Sequence, residues 1–323
     1  MATPNTLDGV LVQWGDRLFY PSNRSTGSRT PALTGLAAQR RAQALRQRIR
    51  ATVVRRAPQV MVKVTGGGRG MGAIAAHLRY IAKSGRLPFE DDRGVVRDGK
   101  DALRAVVDQW RLGGSRIPEQ SERREAFNLM LSMPCGTDER VLVQAVREFA
   151  KAELANHRYV MVLHSHQANP HVHLSVRAEG RDGQRLNPRK EDLRRWREVF
   201  AERLRARGIE AEATPQSTRG ARHHNERAWE RKSTRRLAPA AGPKPMQMSP
   251  SHRHAGEAWV RIAKALAASP QASDRELGQA VLRYVREMPV VKALFDRSSA
   301  QRELPGISRT IVTPTRQGPE IER

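Results

Sequence analysis

The chain has 323 residues, with 58 Lys and Arg against 33 Asp and Glu, a formal charge of +25. That length allows one large or two modest domains, and a charge of this size calls for a polyanionic partner, nucleic acid first and an acidic membrane surface second. A single cysteine, Cys135, excludes an internal disulfide and a Cys-based metal cluster. No apolar run approaches the roughly 20 residues that span a bilayer, and the first residues lack the basic start and apolar core of a secretory signal, so the expectation is a cytoplasmic protein without membrane insertion.

Residues 1–56 hold ten Arg and two Asp but no Lys or Glu, with Pro, Ser, Thr and Gly through 21–35. This composition predicts a basic, partly disordered N-terminal arm in which 37–50 can form a cationic helix on DNA. From Gln59 the texture changes. Val60, Val62 and Val64 alternate as in a strand, TGGGRGMG breaks it, and Ile74, His77, Leu78 and Ile81 recur at helical spacing, giving a helix over about 72–83 that carries Tyr80. A polar loop, FEDDRG, precedes a second helix marked by Leu103, Val106, Val107 and Trp110.

Phe127, Leu129, Leu131 and Met133 alternate in the next strand, and Thr137 or Asp138 can cap a helix striped by Leu142, Val146 and Phe149. YVMVLH (159–164) and HVHLSV (171–176) flank the short polar segment SHQANP, which reads as an antiparallel hairpin. A helix opened by Pro188 follows, with Leu193, Trp196, Phe200 and Leu204 on one face and Arg or Lys around the rest, stopped by Gly208. Beyond about 220 the chain reads as a basic, Pro-rich linker, then a small helical region striped by Trp259, Ile262, Leu266, Leu277 and Val281, then a disordered tail. The expected domains are therefore 1–56, 57–220 and 221–323.

Four of the ten histidines fall between His164 and His173. On a strand His171 and His173 share a face while Val172 and Leu174 point the other way, and the hairpin can return His164 to the same spot. Three imidazoles with open coordination positions are the donor set of a catalytic metal site rather than a closed structural one. His166, in the turn, is a fourth ligand, an orienting group or a solvated side chain.

Read in order, QVMVKVTGGGRGMGAIAAHLRYIAKSGRL, FNLMLSMPCGTD, RYVMVLHSHQANPHVHLSVRAEG and LRARGIEAEATPQSTRG resemble the relaxase domain of conjugative and mobilisable plasmids, within the HUH nucleases, most of all its T-DNA border endonuclease branch. The likeness runs from about Gln59 to Gly220. It implies an α+β fold with a central antiparallel β-sheet flanked by helices. It further implies nicking and rejoining of one DNA strand at an origin of transfer through a 5′-phosphotyrosine on Tyr80, with His164, His171 and His173 holding a divalent ion, Mg²⁺ or Mn²⁺. Ser121 matches a serine that helps position DNA, with Ser115 and Ser132 as nearby alternatives. The family usually has Asp where this chain has His166, so either His166 takes that role or an acid such as Glu125 or Asp91 does. Phosphate contacts are expected from Arg69, Arg79, Lys83, Arg194, Arg195 and Arg219. The partners implied are relaxosome accessory proteins and a type IV coupling protein, with transfer of the DNA-bound protein to a recipient cell.

Three other readings compete. Gly68, Gly70 and Ala73 fit a dinucleotide fingerprint after a strand, but the next strand is far downstream and the histidines and charge stay unexplained. A non-catalytic DNA-binding protein would use the same basic helices. A replication initiator of the HUH superfamily would place its tyrosine after the histidines, whereas Tyr80 precedes them.

Overall fold

The computed structural model describes residues 6–20, 35–221 and 248–292. Its elements in chain order are α1 (Leu7–Phe19), α2 (Gly35–Val53), β1 (Met61–Gly68), α3 (Met71–Ile81), β2 (Phe89–Asp91), β3 (Val96–Arg97), α4 (Lys100–Leu112), β4 (Ala126–Ser132), α5 (Glu139–Glu153), β5 (His157–His164), β6 (His171–Gly180), α6 (Lys190–Arg205), α7 (Pro250–Ala267) and α8 (Ala272–Glu287). The segments 21–34 and 222–247 and the tail, for which the composition predicts disorder or a linker, lie outside the described residues.

Alternating apolar residues in β1, β4, β5 and β6 let one sheet bury both faces. The six strands pair antiparallel in the order β1-β4-β6-β5-β2-β3, the α+β sheet flanked by helices that the sequence predicts. On one face Leu129, Leu131, Val172, Leu174 and Val176 meet the stripes of α5 and α6, with Phe149 edge-on to Trp196 at 6.1 Å. On the other, Ala126, Val160 and Val162 meet Ile74, Leu78, Val106 and Trp110 of α3 and α4.

Two local departures from the sequence reading have steric or electrostatic causes. The glycines after Val64 do not break β1; it runs on to Gly68 with a bulge between Val64 and Gly66. A Cβ on Gly67 would meet the Ala126 carbonyl oxygen at 2.5 Å, so only glycine lets β1 approach β4 this closely. The FEDDRG segment is not a plain loop: β2 and β3 form a small hairpin at the sheet edge, and β2 pairs with β5. Its acids stay buried because Arg147 holds Glu90 and both Arg93 and Arg97 hold Asp91.

A second apolar core lies outside the sheet. Leu11, Leu18 and Phe19 of α1 and Leu45 and Ile49 of α2 pack against Trp259, Ile262 and Leu266 of α7 and Leu277 and Val281 of α8. Phe19 and Trp259 meet edge to face at 6.1 Å, and the Trp259 indole donates to the Thr218 carbonyl while Thr218 Oγ1 donates to the Leu18 carbonyl. Helices therefore stand at 7–19 and 35–53, where the composition predicts a weakly ordered arm. The stripe of α1 meets α2 nearby, but the rest of its cover comes only after the nuclease segment, at a distance local patterning cannot sense. Arg41 pairs with Asp16, Arg46 with Asp8 and Asp274, and Arg48 with Glu198 and Glu212, so much of the charge on α2 is neutralised within the protein.

Candidate active site

β5 ends and β6 begins with histidine, and the register sets His164 opposite His171 and Val162 opposite His173. All three histidines project on the α3 side, at the end of the sheet where β4 finishes with Ser132. Ring centroids lie 4.6 Å apart for His164 and His173, 5.0 Å for His171 and His173, and 5.2 Å for His164 and His171. One nitrogen from each falls within 4.8 Å of the others. Burial, then the neighbouring His164, His171 and His77, push His173 down to about 3, and burial lowers His164 as well, so both stay neutral and able to ligate at pH 7.

The second ring nitrogens are tied to the fold. His164 Nε2–H donates to the Ile81 carbonyl at 2.7 Å, and His171 Nδ1–H donates to the Asn169 carbonyl at 2.9 Å. These bonds leave Nδ1 of His164 and Nε2 of His171 as donors to an ion. Nδ1 of His173 is buried without a hydrogen-bond partner among the described residues. Three converging imidazole nitrogens, one of them on a ring with an unsatisfied buried atom, fit a divalent cation.

Tyr80 occupies the last turn of α3, 72% exposed, on the rim of the same pocket, together with Arg79, Lys83 and Arg86. The His164 bond to Ile81 ties the residue after Tyr80 to the triad. Lys83 and Ser84 then adopt left-handed backbone with φ of 46° and 58°, and Gly85 follows at 86°. Non-glycine residues in that region carry strain, which the surrounding packing must hold in place. The turn folds Leu87 back onto the Ala82 carbonyl at 3.1 Å and keeps Ser84 and Arg86 on the pocket lining.

His166 lies in the β5–β6 turn, its ring 5.2 Å from that of His164, facing the same pocket. Neither acid considered as a substitute reaches it. Glu125 is held by Ser121, Arg123 and Arg185, and Asp91 by Arg93 and Arg97. Ser121 is also misplaced by the sequence reading. It precedes β4, whose Ala126 end is opposite the histidine end, about 14 Å from Met130 along the strand, and its hydroxyl donates to Glu125 at 2.9 Å. Of the alternatives, Ser132 pairs with His171 but turns its hydroxyl to the Pro170 carbonyl, and Ser115 holds Arg177.

The expected phosphate contacts divide. Arg79 and Lys83 line the pocket. Arg69 follows the far end of β1. Arg194 and Arg195 belong to α6, on the opposite face of the sheet, where Arg195 pairs with Glu153 and Asp192. Arg219 donates to the Thr214 carbonyl beside the helical core, and burial lowers its pKa. The residue that sequence reasoning missed is His77. Counted there in an apolar stripe, it lies with its ring 6.4 Å from Tyr80 and 6.5 Å from His173, and its only signal was a position one turn before the tyrosine.

Residues 90–209 match the family model of the MobA/VirD2-like relaxase nuclease domain, a segment that holds the three histidines and begins after Tyr80. A solved structure described as "Molecular Basis of Vancomycin Resistance Transfer in Staphylococcus aureus" is similar at 14% identity and a TM-score of 0.32, over 49% of this chain and 99% of its own. No curated protein matches. With the histidine hairpin inside it, the segment 90–209 is a relaxase nuclease domain of the MobA/VirD2-like kind.

Proposed function

We propose that this protein nicks and rejoins one DNA strand at an origin of transfer, with Tyr80 as nucleophile, and so starts conjugative transfer of a plasmid or integrative element. The observation that carries the reading is the exposed Tyr80 beside three converging histidines, its helix end bonded to one of them. The phenolic oxygen attacks the scissile phosphorus, the bond to the 3′ oxygen breaks, and that oxygen leaves as a 3′-hydroxyl. The energy of the phosphodiester stays in the 5′-phosphotyrosine, so attack by a 3′-hydroxyl reverses the step without ATP.

A divalent ion bound by His164, His171 and His173 would engage nonbridging phosphate oxygens and stabilise the charge of the in-line transition state. Arg79, Lys83 and Arg86 line the pocket beside the phenol with positive charge, which draws in the DNA backbone. His166 stands where an acid is usual and orients water or phosphate by hydrogen bonding. Residues 57–220 form the nicking domain. Accessory proteins that melt the origin and a type IV coupling protein are the partners, and the protein acts in the donor cytoplasm before passing to the recipient on its DNA.

A labelled single-stranded origin oligonucleotide incubated with the protein and Mn²⁺ should give an adduct that survives SDS. Tyr80→Phe should abolish it while binding the oligonucleotide normally. An undiminished adduct from Tyr80→Phe refutes the assignment, and binding without any adduct from the wild type supports a non-catalytic DNA-binding protein instead.

A further inference from the structure

His164 and His171 each give one ring nitrogen to a backbone carbonyl, an arrangement that fixes the ring and decides which nitrogen faces inward. His173 breaks the pattern, because its Nδ1 is buried and has no partner among the described residues. The same holds for the buried Nε2 of His77. Buried polar atoms without partners are rare, and here two of them belong to neighbouring rings whose centroids are 6.5 Å apart at 79°. A direct hydrogen bond between the rings would need centroids about 5 Å apart. The observed spacing is longer than that and matches a link through one water.

We propose that His77 is the positioning residue of His173. The Nδ1–H of His173 donates to a water that in turn donates to His77 Nε2, which turns Nε2 of His173 toward the metal. Every member of the triad then has its second nitrogen satisfied, two by backbone carbonyls and one by a water held on the His77 side chain. Because His77 and Tyr80 share one face of α3, the bridge is also a second tether, beside the Ile81 carbonyl, between the nucleophile's helix and the histidines. The inference rests on the reading that the triad holds a divalent ion.

Titration calorimetry of the full chain with Mn²⁺ tests it. His77→Phe keeps an aromatic ring but not the acceptor, and should weaken Mn²⁺ binding by about 10–100-fold. His77→Gln, whose side-chain carbonyl can accept from the same water, should recover most of that loss, with metal-free melting unchanged in both. If His77→Phe lowers the metal-free melt, comparison of His77→Gln with His77→Ala decides by the same criterion. Wild-type affinity in His77→Phe, or equal losses in the Gln variant and its non-accepting counterpart, overturns the inference while leaving the metal reading intact. Absence of Mn²⁺ binding by the wild type, or unchanged binding in His173→Ala, overturns the metal reading and the inference with it.

Discussion

Arg48 joins the helical core to the nuclease domain, and its removal should cost more than any surface arginine would. Its Nη2 donates to Glu198 Oε1 at 2.6 Å and its Nη1 to Tyr20 Oη at 2.6 Å, and Nε lies 3.3 Å from Glu212. The guanidinium stacks over Phe19 and Tyr20 at 4.8 and 4.9 Å. Burial works against its charge, but Glu198, Tyr20 and Glu212 hold its pKa above the usual value. Arg48→Met keeps the apolar stem and leaves buried Glu212 beside Glu198, with Arg205 3.7 Å away as the remaining cation at that carboxylate. Breaking a buried pair in this way costs about 3–5 kcal/mol, against a total stability of about 5–15 kcal/mol.

Burial already raises the Glu212 pKa in the intact protein, and loss of Arg48 removes a group that lowers it. In the variant the folded state thus takes up a proton more readily than the unfolded chain, so acid restores stability. Urea unfolding followed by tryptophan fluorescence at pH 7.5 and pH 5 should show the deficit of Arg48→Met relative to wild type shrinking in acid. A deficit below about 1 kcal/mol at pH 7.5, or one indifferent to pH, refutes the view of Arg48 as a buried tie. It would return α2 to the role of a cationic arm held for DNA.

Asp91 gives a pH dependence of opposite sign. Burial opposes its charge, but Arg97, Arg93 and two backbone N–H groups outweigh that and lower its pKa to about 2. Its stabilisation is therefore complete above the unfolded value of about 3.9 and is lost as pH falls toward 2. Urea melts should show the gap between wild type and Asp91→Asn closing over that window, and a gap constant from pH 6 to pH 2.5 would contradict this. Ser121→Ala should leave the rate of adduct formation within about twofold and lower stability by about 1 kcal/mol through the lost bond to Glu125. A collapse of adduct formation would return Ser121 to the site.

The sheet and its histidine hairpin were legible because their signals are local. Alternation in 159–164 and 171–176 sets the faces, and a short polar turn sets the register that brings His164 opposite His171. The helical position of Tyr80 was legible for the same reason, since the stripe of Ile74, Leu78 and Ile81 sets α3. Ser121 was misplaced because its position relative to the histidines depends on which end of β4 they share, a fact of pairing between distant strands. His77 was hidden by its company: beside Ile74, Leu78 and Ile81 it reads as a core residue, and only the folded α3 turns it toward His173. The internal use of charge was not legible, because Arg41, Arg46 and Arg48 of α2 and Arg195 and Arg205 of α6 meet their carboxylates only in the folded chain.

The helical core draws on segments from both sides of the nuclease domain, and this has a consequence for biosynthesis. Phe19 leaves the ribosome about 240 residues before Trp259, an interval on the order of 10–50 s at translation rates of about 5–20 residues per second. Throughout that time the apolar stripe of α1 has only α2 to cover it, while the sheet, whose pairings all fall within 61–180, can already close. The nascent chain should therefore present a folded nuclease with a sticky, cationic leader, a natural client for a chaperone. It becomes a finished molecule only when α7 and α8 arrive to cover Leu11, Leu18 and Phe19.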